Sequence, residues 1–196
     1  TIAGAMTQFV PVWSGTTIHS RRLARAQLWL VAGGLVGFLV ALLGGRLAAL
    51  PVFGTLLLVG VWTFAYNVGR TLAATRPLDV TERHFALALG FFVALTPLGL
   101  ALAAGFHTPV FAGTVVSRAG VVAAHATLAV FGAVLTTVFG ALYRLVPMFG
   151  RTELRGVDHH LTRVETVAYP AGVVALAAGR LVASAPLARE IGRAHV

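Results

Sequence analysis

Apolar runs close to the length of a bilayer crossing alternate along this chain with short segments that carry arginine. About 20 consecutive apolar residues are needed for a helix to cross the hydrocarbon core. No water is present there, so a spanning segment must satisfy its own main-chain N–H and C=O groups, and only helices and closed barrels do so. The run lengths here suit helices. They predict an all-α, polytopic transmembrane bundle with a truncated N-terminal helix over about 1–13. Five fuller helices follow, over about 24–44, 51–73, 80–105, 118–147 and 164–184. Pro51 suits a first-turn position, Asp79 and Glu82 form the pattern of a capping box, and Pro170 is a kink site.

Charge agrees with this reading. Charged residues are 11% of the chain and hydrophobic ones 58%, against about 25% charged in soluble domains. The net charge of +9 comes entirely from arginine among the basic residues. A basic chain can bind nucleic acid, but these arginines lie between apolar runs, so a lipid bilayer is the expected partner and nucleic acid is not. Arg21, Arg22, Arg25, Arg70, Arg76, Arg83, Arg144, Arg151, Arg155 and Arg163 belong to alternate connections, and the other two connections hold only Arg46 and Arg118. The positive-inside rule then places loops 14–23, 74–79 and 148–163 in the cytoplasm of a prokaryotic cell with a multi-pass protein in its plasma membrane. Cysteine is absent, which excludes disulfides, thiolate metal sites and cysteine nucleophiles.

The chain also repeats part of itself. Residues 1–16 (TIAGAMTQFVPVWSGT) resemble residues 137–152 (TVFGALYRLVPMFGRT). Thr1, Gly4, Ala5, Val10, Pro11 and Thr16 meet Thr137, Gly140, Ala141, Val146, Pro147 and Thr152 at one fixed offset. In the second copy the motif ends a long helix carrying His125, whose counterpart would fall upstream of Thr1. The expectation is a single transmembrane domain over 1–196, built with internal symmetry and incomplete at both ends. A stripe of Gly33, Gly37 and Ala41 predicts close helix packing.

His125 is the candidate site. At helical spacing it shares one face with Ala129, Gly132, Thr136, Gly140 and Tyr143. An imidazole in a membrane helix faces the bundle interior and finds a partner. An interhelical hydrogen bond, a metal or haem ligand, a proton or substrate path, and a position in the headgroup region are all compatible with the sequence.

A histidine, then about fifteen apolar residues, then Gly140, Ala141, Tyr143, Leu145, Val146 and Pro147 resembles the low-spin-haem helix of the haem-copper oxidase subunit I superfamily. The likeness is greatest to the nitric oxide reductase and C-type branch. The resemblance implies an integral membrane oxidoreductase. His125 would be an axial haem and metal ligand, with the ring along Gly132 and Gly140, Tyr143 in the cofactor-binding set and Arg144 near a propionate. Electrons would pass from a donor or other respiratory-chain subunits towards oxygen or nitric oxide. The superfamily's paired copper histidines are missing. His159-His160 sits in a loop with Asp158 and Arg163, so copper is implied only with ligands outside this segment. A transporter, or a cofactor-free structural subunit with His125 as an interhelical contact, is the alternative.

Other titratable residues read more simply. His84 suits an interfacial position, His107 a solvated loop and His19, beside Arg21, the cytoplasmic anchor; Glu153, Asp158 and Glu165 suit exposed loop ion pairs with Arg151, Arg155 and Arg163. Trp13, Trp29, Trp62, Tyr66 and Tyr143 suit interfacial anchors. No phosphate-binding glycine loop, HExxH or nucleophile elbow is present.

Overall fold

The structure, a computed structural model, describes residues 2–75, 77–151 and 159–193, with side chains described for 161–182 of the last segment. Thr1, Arg76, Thr152, Glu153, Arg155, Asp158 and His195, and the side chains of His159 and His160, lie outside the described residues. All regular structure among the described residues is helical. Helix α1 is Ile2–Trp13 and α2 is Arg21–Leu43. A 3-10 turn, Leu47–Ala49, leads into α3, Leu50–Ala73. Helix α4 is Val80–Ala104, α5 is Arg118–Gly150 and α6 is His159–Arg193. Four segments are long and apolar enough to cross a membrane: α2, Leu47–Ala73, α4 and α5.

Local chemistry explains the helix starts. The Ser20 hydroxyl accepts from the Leu23 N–H at 3.2 Å, so α2 begins three residues before the apolar run suggested. The expected capping box closes both ways: Asp79 Oδ1 accepts from Glu82 N at 2.8 Å, and Glu82 Oε2 accepts from Asp79 N at 3.0 Å. Such a cap satisfies two of the main-chain donors that a helix start leaves open.

Helix α4 is the spine of the bundle, packed against α3 on one side and antiparallel to α5 on another. One core joins Met6 and Val10 of α1 to Phe64 and Val68 of α3 and Phe85 and Leu89 of α4. A second joins Phe91, Ala124, Leu128 and Ala133 to Val173 and Ala177 of α6. A third, at the opposite end, joins Ala41, Leu50 and Ala103. Helices α2 and α3 approach closely through Gly34 and Gly37, where an added Cβ would meet Leu57 and Phe53. Of the expected stripe, Gly37 and Ala41 lie in the packed face, and Gly34 takes the place of Gly33, which faces open space. Large side chains remain on the outside, Trp29 (74% exposed) and Leu43 (87%) among them. In water, apolar area of that kind marks an interaction surface.

Helix α5 is not uniform. Arg118–Thr127 and Thr136–Gly150 are α-helical, and Leu128–Leu135 between them is a π-helix. Its wider turns open main-chain oxygens to outside donors. The Tyr169 hydroxyl of α6 donates to Phe131 O at 2.6 Å.

Gly15 and Arg151 both take left-handed backbone, with φ of 61° and 48°. Each follows a helix with an internal proline, Pro11 or Pro147. Glycine adopts that conformation freely, whereas arginine gives up roughly 1–2 kcal/mol for it.

Candidate functional site

Pro97 has no N–H to donate to Val93 O in α4. The Thr96 hydroxyl takes that role at 3.1 Å, and in turn accepts from the Trp62 indole N–H at 2.9 Å. Trp62, half-exposed, thus joins α3 to α4 from the middle of α3, not from a helix end. Beside this repair the imidazole of His125 reaches across from α5, and its Nδ1 lies 2.9 Å from Leu95 O.

A carbonyl oxygen only accepts, so Nδ1 carries a proton. In the neutral ring Nε2 then keeps its lone pair for a second partner. Gly99 makes the contact fit, since a Cβ there would stand 2.9 Å from His125 Cε1. His125 also lines a cavity of about 390 Å³ with Gly54, Leu58, Leu95, Gly99 and Phe106. The walls are apolar apart from His125 and Thr96, and the volume lies in the roughly 300–1,000 Å³ range of small-molecule sites.

The glycines of the same face are filled by protein. A Cβ on Gly132 would stand 2.6 Å from Phe91 Cγ, and one on Gly140 would stand 2.9 Å from His84 Cβ and 3.1 Å from Thr81 O. These glycines let α5 settle on α4, and the expected slot for a flat ring along Gly132 and Gly140 is taken by Phe91, His84 and Phe85. Arg144, expected near a propionate, pairs with Asp79.

Tyr143 belongs to a different cluster. Its hydroxyl donates to Glu165 Oε2, and its ring lies 5.4 Å from that of His84. His84 is 2% exposed, its Nδ1 is 2.8 Å from Val80 O, and its Nε2 is 3.9 Å from Glu165 Oε1. His84 is therefore buried where an interfacial side chain was expected, and Glu165 is a helical residue facing the bundle where a loop ion pair was expected. Neither was legible from spacing, because the three residues come from three helices. His84 and His125 share one construction: Nδ1–H anchored on a main-chain oxygen, Nε2 turned to something else.

A third polar contact also escaped the sequence reading. Asn67, fully buried in α3, brackets the α1–α2 loop: its Oδ1 accepts from Ser20 N at 2.9 Å and its Nδ2 donates to Ser20 O at 3.0 Å. Thr71 Oγ1 accepts from His19 N at 3.0 Å, and the His19 ring meets Tyr66 edge-on. His107 is exposed in the loop after α4, as expected. Among the described residues, no three of His, Cys, Asp and Glu gather into a metal-binding group. Compared with known proteins, the chain matches no family model, no curated protein and no solved structure.

Proposed function

We propose that the chain is a multi-pass membrane protein of the redox class that takes haem on His125, built from two similar halves with its arginine-rich loops in the cytoplasm. One observation carries the ligand assignment. The Leu95 carbonyl fixes Nδ1–H of His125, so the neutral ring offers Nε2 as an electron-pair donor beside an apolar cavity. Ligating histidines are commonly oriented by such an outer hydrogen bond on the other ring nitrogen.

The fit has two sides. His125, with an unprotonated Nε2, would be the residue to hold a haem iron. The glycine face does not suit a macrocycle, because Phe91 and His84 occupy it, so the cavity beside Gly99 is the side on which a ring would have to be received. Haem would supply one-electron chemistry at a potential set by its axial ligand and surroundings. The chain's own part is to hold Nε2 in place beside the apolar side chains of Leu58 and Leu95. Transfer towards oxygen or nitric oxide, and pairing with respiratory-chain subunits or an electron donor, follow from the family resemblance alone.

The same hydrogen bond favours a second reading, a cofactor-free structural subunit in which His125 joins α5 to α4. A reduced-minus-oxidised visible spectrum of the full chain from haem-replete cells, beside His125→Ala, separates the two. A sharp band lost in the variant supports haem ligation. A colourless, metal-free wild-type protein leaves the structural reading.

A further inference from the structure

A groove of about 1090 Å³ runs between α4 and α6 and touches α5 at Leu128. Its walls are small and apolar, with Ala86, Gly90 and Ala94 on one side and Val174 and Ala178 on the other. One cation stands at its rim. Arg83 is exposed, and its Nε donates to Leu78 O at 3.1 Å. That bond anchors the guanidinium at the rim, and among the described residues no carboxylate pairs with it.

The dimensions suit one leaflet. From Arg83 to Ala94 the helix rises about 17 Å at 1.5 Å per residue. Half of a hydrocarbon core of about 30 Å is close to that. Arg83 lies at the bundle end that also holds Arg144, so the groove opens at a cationic end and runs inward past Ala94 of α4 to Leu181 of α6, deep enough for an acyl chain. Its mouth is cationic and its length is apolar, which is the complement of an anionic amphiphile.

We infer that this groove seats an acyl chain of an anionic phospholipid, with the lipid phosphate held by Arg83. Guanidinium meets phosphate through paired, charge-assisted N–H···O bonds. A zwitterionic lipid brings its own cation to the same place and gains less. The inference rests on the membrane reading of the chain but not on haem.

The test is reconstitution of the full chain into phosphatidylcholine vesicles holding a minority of phosphatidylglycerol, then re-extraction and native mass spectrometry of retained lipid. Wild-type protein is expected to retain phosphatidylglycerol over phosphatidylcholine by about tenfold, a difference of about 1.4 kcal/mol. Arg83→Gln should abolish that preference, and Arg46→Gln, at the opposite end, should keep it. Ala178→Phe, which obstructs the groove and leaves Arg83 in place, should lower retention of both lipids. Equal retention by the wild type, a preference that survives Arg83→Gln, or a lipid-free dimer mass overturns the inference. Failure to enter vesicles sinks the membrane reading as well, whereas insertion without selectivity sinks the lipid site alone.

Discussion

His125 of α5 donates its Nδ1–H to the main-chain oxygen of Leu95 in α4, 2.9 Å away, two residues before Pro97. Removing the ring deletes this link between two long helices. Interhelical hydrogen bonds in membranes contribute about 0.6 kcal/mol on average and up to about 1.7. His125→Ala should therefore lower stability by roughly that amount plus the cost of the space left. Gly99→Ala should displace the ring without removing it, because the new Cβ would sit 2.9 Å from Cε1. Thermal unfolding in detergent should show both variants below the wild type. A Gly99→Ala protein as stable as the wild type would contradict this packing.

The glycines of α5 and α6 separate into close contacts and open positions. Gly132→Ala should destabilise by about 1–3 kcal/mol, the usual range for overpacking, since Phe91 stands 2.6 Å from the new atom. Gly172→Ala in α6 has nothing within 4 Å and should be neutral or stabilising by up to about 1 kcal/mol, because alanine is the better helix former. Denaturant titration of the two variants side by side checks the order.

Asn67 holds the α1–α2 loop through both its amide groups. Asn67→Leu keeps the branched shape but strands the Ser20 N–H, at about 1–3 kcal/mol for a buried donor left unmet, while the Ser20 oxygen keeps its bond from Ala24 N at 3.1 Å. Limited proteolysis should cut the loop between α1 and α2 faster in this variant than in the wild type. Unchanged cleavage would show that the bracket does not order the loop.

Asp79 and Arg144 form an ion pair whose partners differ in importance. Both side chains are roughly two-fifths exposed, and such pairs contribute about 0–1 kcal/mol. Arg144→Gln should therefore change little. Asp79→Ala also removes the α4 cap, at about 0.5–2 kcal/mol. The Asp79 variant should melt lower than the Arg144 variant, and the reverse order would contradict the capping geometry.

Glu165, Tyr143 and His84 act as one contact. Tyr143→Phe and Glu165→Gln should each cost about 0.5–1.5 kcal/mol. The double variant should cost less than their sum, because either change alone already disturbs the shared hydrogen bond. Additive losses would mean that the two side chains do not interact.

The helices were legible because run length and caps are local. The ends of α3 and α4 fall within a residue of expectation, and the Asp79–Glu82 box was visible as a pattern. α6 runs from 159 to 193, well beyond the expected 164–184, because polar residues at its ends continue the helix past the apolar run. That His125 faces inside was legible too, from the cost of desolvating an imidazole. What closes around it was not. Phe91 over Gly132 and Gly99 under His125 are juxtapositions between helices, and one sequence carries no information on register between them. Asn67 was overlooked because attention to charge passes over a neutral amide. The π-helix has no sequence mark, since LAVFGAVL reads as ordinary apolar helix.

That π stretch has a consequence for how the bundle tolerates change. The oxygen that Tyr169 grips belongs to the peptide unit of residue 131, and every amino acid presents the same atom there. This link between the fifth and sixth helices, unlike the Tyr143–Glu165 bond, is addressed to the backbone and not to a side chain. Residue 131 is thus free to drift while this link holds, and of its two residues only Tyr169 is constrained by it.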